Sequence, residues 1–217
     1  MPCAKFAAAA NRCSMALVSE FDGFIFDYGG VLVSDQTEED KTQMARLMGV
    51  DLDTFQELYW SDRLEYDRGS ESGYEYWLRL GTRAGKSLSA DAIERLTEVD
   101  NRSWMHFDEP MWEWIAQLRA AGKPVAILSN MPRELGEALR AQTDRLSRFD
   151  HVTLSYELNS VKPEPAIYEH ALDGVGTEPG RTLFLDDRIA NVQGAELLGI
   201  QALQFTSRDE VLLRLRA

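Results

Sequence analysis

At 217 residues, 44% of them apolar and 27% charged, with a formal net charge of -13, the chain can bury the core of one large domain or two small ones. Its acidity repels polyanions, which argues against nucleic acid as a partner, and no apolar stretch approaches a membrane span. Neither point excludes a small phosphorylated ligand, whose capture depends on local lysine, backbone amides and metal.

Residues 1–14 hold both cysteines, Cys3 and Cys13, and a short Phe-Ala run that ends at Asn11-Arg12. Two thiols there make neither a disulfide framework nor a zinc site, and the run is too short for a signal-peptide core. We expect residues 1–19 to be a disordered extension, with Met15 as an alternative start, and the protein to reside in the cytoplasm. Phe24-Ile-Phe26 then forms an apolar run that stops at Asp27, followed by Gly29-Gly30. Buried parallel strands read as such runs, and ligands collect outside their carboxyl ends. The glycines permit a tight turn and close backbone approach, and a left-handed glycine at position 29 would resist replacement. Asp22-Gly23 precedes the run and belongs to the opposite edge of the sheet.

From Thr37 helical spacing takes over. Met44, Leu47 and Met48 share a face, as do Phe55, Leu58 and Tyr59, then Tyr74, Trp77 and Leu78, then Ile93, Leu96 and Val99. Asp51 and Ser89 are the expected N-caps, and Gly69 and Gly73 punctuate the middle. Residues 35–107 therefore read as a helical cap, inserted between a first core segment, 20–34, and a second, 108–217.

Alternation resumes with a helix at Met111, Ile115 and Leu118. Val125-Ala-Ile-Leu128 delivers Ser129-Asn130, a hydroxyl and main-chain N–H groups that suit a phosphoryl group. Leu135 and Leu139 mark a helix and Val152-Thr-Leu154 a strand. Lys162 sits in Ser160-Val-Lys-Pro-Glu-Pro165, a stiff bend that can hold a fixed charge before the helix of Ile167, Ala171, Leu172 and Val175. Thr182-Leu-Phe-Leu185 delivers Asp186-Asp187, adjacent carboxylates that need a cation or a lysine to compensate them. Val192, Ala195 and Leu198 give a further helix before a last strand near 202–205. Strands spaced by helices imply an α/β fold with a doubly wound parallel sheet. Three acids at two strand ends can hold Mg²⁺, which prefers oxygen ligands, or offer an aspartate as nucleophile.

The order Asp27, Ser129, Lys162, Asp186-Asp187 resembles the four-motif series of the haloacid dehalogenase-like superfamily, in its phosphatase branch with a helical cap between the first and second motifs. The likeness runs from about Glu20 to the C-terminus. Tyr66-Asp-Arg-Gly-Ser-Glu71 and the run Leu154–Tyr168 most resemble bacterial α-D-glucose-1-phosphate phosphatases. The resemblance implies a Rossmann-like core in which Asp27 attacks phosphorus. It implies Mg²⁺ held by Asp27, the carbonyl of Gly29 and Asp186, with Asp187 supporting the metal shell or pairing with Lys162. Ser129 and the amide of Asn130 would bind phosphate oxygens, and Lys162 would neutralise the nucleophile and the transferring group.

One departure stands out. The family usually carries a second aspartate two residues after the nucleophile as general acid and base, and here that position is Gly29. Such assistance is worth about 10²–10⁴-fold. Either the substrate has a good leaving group, as a sugar 1-phosphate does, or a cap residue such as Asp62 or Tyr66 replaces it. The five tryptophans are mostly at helical spacings, which core packing explains better than a ligand box; Trp60 alone is a candidate to face a substrate. The resemblance implies a Mg²⁺-dependent phosphatase of a small phosphorylated metabolite. A 2-haloacid dehalogenase also lacks the second aspartate, but characteristically loses the acidic pair. A phosphate-binding relative without turnover has no need of a nucleophile. Oligomeric state is not legible in the sequence.

Overall fold

The computed structural model describes residues 19–61 and 63–215. The expected extension over 1–19, apart from Ser19, lies outside the described residues, as do Cys3, Cys13, Met15 and Asp62. Five parallel strands form one sheet: β1 (Gly23–Phe26), β2 (Val125–Ser129), β3 (His151–Leu154), β4 (Thr182–Asp186) and β5 (Gln201–Gln204), in the order β3-β2-β1-β4-β5. The chain winds outward from β1 to β3, then crosses back to β4 on the other side of β1. The crevice of such a sheet opens at that reversal, beyond the carboxyl ends of β1 and β4.

Register brings the acids together. Phe26 stands opposite Leu185, and Asp27 N–H donates to the Leu185 carbonyl at 2.9 Å, so Asp27 and Asp186 leave neighbouring strands side by side. Within the sheet the side chains alternate between two faces, as period-two geometry requires. Phe24, Phe26, Val125, Ile127, Leu183 and Leu185 pack on one face, and Ile25, Ala126, Leu128 and Phe184 on the other. Both faces are buried, so the strands read as continuous apolar runs.

Helices α1 (Glu38–Met48), α2 (Leu52–Ser61), α3 (Leu64–Arg68), α4 (Gly73–Arg83) and α5 (Ala90–Ser103) follow β1 and share their own apolar cluster, from Met44 to Val99. Thr37 opens α1 with a capping box, Ser89 caps α5, and Asp51 accepts from Thr54 N–H at 2.9 Å. The expected face of α4 is displaced. Trp77 is buried, but Tyr74 and Leu78 are 52% and 40% exposed, and the inner positions are Tyr76 and Leu80. Tyr76 decides the rotation, because its ring stacks on Tyr66 at 4.5 Å and its hydroxyl donates to the Tyr59 carbonyl at 2.6 Å. Where the chain leaves and re-enters the core, the two crossings bind each other. Ser34 N–H donates to His106 O at 2.9 Å and Asp108 N–H to Leu32 O at 3.0 Å, around an antiparallel bridge of Val33 and Phe107.

The second core segment supplies α6 (Glu109–Ala120), α7 (Arg133–Gln142), α8 (Ser155–Leu158), α9 (Pro165–Val175), α10 (Ile189–Glu196) and α11 (Arg208–Arg214). Three short helices, α3, α8 and α11, have too few turns to show a period and were not anticipated. Among the described residues no helix is long and apolar enough to cross a membrane.

Candidate active site

Asp27 leaves β1 with 7% of its surface exposed. Its Oδ1 accepts from Tyr28 N–H at 2.7 Å and lies 2.7 Å from Lys162 Nζ. Burial pushes its carboxyl up, with Lys162 opposing and Asp186 reinforcing the shift. Lys162 is 2% exposed. Its ammonium has three protons to place, and the contacts are Asp27, Asp186 Oδ2 at 2.6 Å and the Leu128 carbonyl at 3.0 Å. Burial opposes that charge, and the two carboxylates outweigh the burial, so the lysine's pKa is raised. Lys162 therefore pairs with Asp186 and Asp27 and makes no such contact with Asp187.

Asn130 does something the sequence did not suggest. Its Oδ1 accepts from Lys162 N–H at 2.7 Å and its Nδ2 donates to Lys162 O at 3.1 Å, so the side chain clamps the lysine's backbone from both sides. Ser129, 2% exposed at the end of β2, lines the pocket with its hydroxyl, whose contact to Asn130 O is a long 3.5 Å.

The two adjacent acids have different surroundings. Asp186 is fully buried. Besides Lys162, it accepts from Arg188 N–H at 2.8 Å and from Asn191 Nδ2 at 3.0 Å on each oxygen. No donor among the described residues reaches the carboxylate of Asp187; burial raises its pKa and the Asp186 charge adds to this. Asp27, Asp186 and Asp187 bring one oxygen each within 4.8 Å of one another. Three carboxyl groups face one ammonium, and a divalent cation bound beside them would favour their ionised forms. The donors are all oxygen, as Mg²⁺ prefers, so the residues fit that metal.

The left-handed glycine is Gly30 (φ 69°), whereas Gly29 has an ordinary backbone. A Cβ on Gly30 would lie 2.9 Å from Asp187 Cγ, so the bare backbone there lets the acid approach. Gly29 faces an aromatic ring instead, and its Cβ would stand 3.2 Å from Trp104 Cζ3. Trp104, read from its spacing as core, packs against the core cluster and also lines the pocket together with Trp60. Trp60 is 43% exposed, carries the Arg188 guanidinium 5.0 Å above its ring, and meets Trp104 edge-on at 6.3 Å. Tyr66, by contrast, is buried inside the cap and does not reach the pocket.

Gly29→Asp should accordingly destabilise the fold by about 1–3 kcal/mol through overpacking against Trp104. Thermal melts of Gly29→Asp, Trp104→Leu and the double variant would check this. The double variant should lose less than the sum of the two single losses.

A cavity of about 100 Å³ lies between cap and core over Asp27, small beside the ~300–1,000 Å³ of common ligand pockets. Asp27, Ser129 and Asp186 at strand ends and Lys162 on a loop thus meet at one site. Residues 21–199 match the model of the haloacid dehalogenase-like hydrolases, and the chain belongs to that family. It is similar to the sesquiterpene phosphatase astK of Aspergillus oryzae, 25% identical over 92% of this chain and 97% of the relative. It is also similar to the D-ribitol-5-phosphate phosphatase of Bacteroides thetaiotaomicron, 27% identical over 83% and 89%. Among solved structures it resembles the magnesium complex of the HAD family enzyme bt-2542 from Bacteroides thetaiotaomicron, with a TM-score of 0.72 and 22% identity over 90% of this chain and 99% of that one.

Proposed function

We propose that the chain is a Mg²⁺-dependent phosphatase of a small phosphorylated metabolite, acting through an aspartyl-phosphate at Asp27. The observation that carries this is the buried Lys162 ammonium between Asp27 and Asp186, with the donor-free Asp187 beside them. Lys162 holds Asp27 in place and offsets charge on the transferring group, while Asn130 fixes the lysine. The Ser129 hydroxyl and the Asn130 main-chain N–H serve the phosphate oxygens. Asp27, the Gly29 carbonyl and an acid of the 186–187 pair hold the metal. Asp186 already receives four hydrogen bonds on its two oxygens, which favours Asp187 as the second carboxylate ligand and Asp186 as the group that orients Lys162. When bound, Mg²⁺ would neutralise charge on the phosphoryl oxygens. Retention of the acidic pair speaks against a metal-free dehalogenase, and a buried nucleophile with its lysine speaks against a mere binding module.

The small cavity and its polar rim of Asp35, Arg63, Asp67 and Arg188 favour a compact hydroxylated ester, such as a sugar 1-phosphate or an alditol phosphate, over a long terpenyl chain. A screen of phosphate monoesters with Mg²⁺, with EDTA as control, tests the reading. Hydrolysis of none of them, or full turnover in EDTA, would defeat it. The metal assignment has its own expected outcome. Wild type should melt at a higher temperature with Mg²⁺ than with EDTA, because a ligand that binds only the folded state stabilises it. Asp187→Asn should need more than about 10-fold higher Mg²⁺ for the same shift, since even outer-shell losses cost 10–100-fold.

A further inference from the structure

Gly29 cannot carry a proton. Of the cap residues with which the sequence might have replaced it, Tyr66 is sealed in the cap, and Asp62 lies outside the described residues. An acid of the cap, Asp67, nonetheless lines the pocket. Its Oδ1 is bound by Arg63 Nε at 3.0 Å, and its side chain is 14% exposed. No hydrogen bond among the described residues reaches Oδ2.

The position of this acid is fixed by the core rather than by the cap alone. Ser155 donates its hydroxyl to the Asp67 carbonyl, and the same hydroxyl accepts from Met131 N–H at 2.9 Å, one residue past Asn130. Arg68 forms a two-pronged pair with Glu164, at 3.0 and 2.6 Å, on the turn that carries Lys162. Gly69 (φ 82°) closes α3 so near Tyr156 that a Cβ there would lie 3.0 Å from its Cα. Asp67 and Arg68 of α3, and the Gly69 that caps it, are thus held against the segments that carry Met131, Ser155 and Lys162. Behind Asp67, the Arg63 guanidinium is anchored by Asp100 at 3.3 Å and lies over the Tyr59 and Tyr66 rings at 4.5 and 4.9 Å.

Resting on the phosphatase reading, we propose that Asp67 is the proton donor and acceptor of the reaction, standing in for the carboxylate absent at Gly29. In the first step Asp27 attacks phosphorus, the bond from phosphorus to the leaving oxygen breaks, and that oxygen takes the Asp67 proton. In the second, water attacks the aspartyl-phosphate and gives its proton to the Asp67 carboxylate. The bond from phosphorus to Asp27 then breaks, freeing phosphate and restoring both acids. Burial pushes the Asp67 carboxyl above the ordinary range while Arg63 opposes, the direction that suits an acid working near neutral pH. Asp35, the other cap-side carboxylate of the pocket, is exposed and has no comparable anchorage.

The test separates leaving groups. kcat/KM reports the steps through departure of the leaving group, and it would be measured in Mg²⁺ for p-nitrophenyl phosphate and for glycerol phosphate. Asp67→Asn should lower kcat/KM for glycerol phosphate by about 10²–10⁴-fold and for p-nitrophenyl phosphate, whose leaving oxygen needs no proton, by about 10-fold or less. Trapping of Asp27 by beryllium fluoride in the variant reports an intact site, and Asp67→Ser carries the same comparison should the asparagine fail to fold. Equal losses on both esters would overturn the assignment, as would a selective loss in Asp35→Asn instead. Those results leave the phosphatase reading standing, whereas a wild type inactive on every ester removes both.

Discussion

Asp27→Asn should abolish turnover, by about 10⁴-fold or more, as removal of a covalent nucleophile does elsewhere, while leaving the protein folded. The amide oxygen can still accept from Tyr28 N–H and Lys162, so both contacts of Oδ1 survive. The substitution also removes one of three carboxylates crowded around one ammonium, so the melting temperature should not fall. Wild type incubated with substrate and quenched in acid should yield a hydroxylamine-sensitive acyl phosphate at Asp27, read by mass spectrometry, and the variant none. A label on Asp22 would mean that the wrong end of β1 had been chosen. That residue instead pairs with Arg181 at 3.0 Å, on the far edge of the sheet. Turnover without any trapped species would equally defeat the assignment.

Lys162→Met should damage both activity and stability, and the two losses can be separated. Removing one partner of a buried ionic cluster costs about 3–5 kcal/mol, because the remaining charges stay buried without compensation. For a chain of this length that corresponds to a fall in melting temperature on the order of 10 °C. The double variant Lys162→Met, Asp186→Asn removes one of the stranded carboxylates and should recover part of the stability. It should recover none of the activity, since nothing then offsets charge on the transferring group. Recovery of activity in the double variant, or an unchanged melting temperature in the single one, would show that the cluster does not depend on its lysine.

The parallel sheet was legible because its central strands are buried on both faces, which leaves continuous apolar runs ending in polar groups. Asp27, Ser129, Lys162 and Asp186 could be picked out for the same reason, as polar residues delivered by such runs or held on a proline-stiffened bend. What was hidden depends on side-chain direction. Nothing in the string Leu-Asp-Asp separates an acid clothed in donors from a bare one, so the difference between Asp186 and Asp187 emerges only from Asn191 and the start of α10. The clamp by Asn130 needs two loops 32 residues apart and has no local signature. Asp67 lay inside a segment singled out by its likeness to known phosphatases, yet α3 is too short to show which side chain it presents. Trp104 sits at the end of α5 on a spacing that suits a core residue, and only the structure shows that it also faces Gly29.

The hydrogen bonds that tie Leu32 to Asp108 and Ser34 to His106 bear on how the chain is made. β1 is the central strand of the sheet, but its partners arrive late, for Phe26 and Asp186 are separated by 160 residues of sequence. At about 5–20 residues per second, synthesis of that stretch takes roughly 8–30 s, during which the apolar edges of Phe24-Ile25-Phe26 have no β4 to pair with. The cap emerges whole in the meantime. Its helices make contacts close in sequence, the kind that form fastest, and its folding brings the two crossings together. β2 is then born beside β1 instead of at the end of a long loop, and the entropy of closing that loop is already offset. An insertion that folds early on the ribosome would bring the two halves of the core within reach of each other.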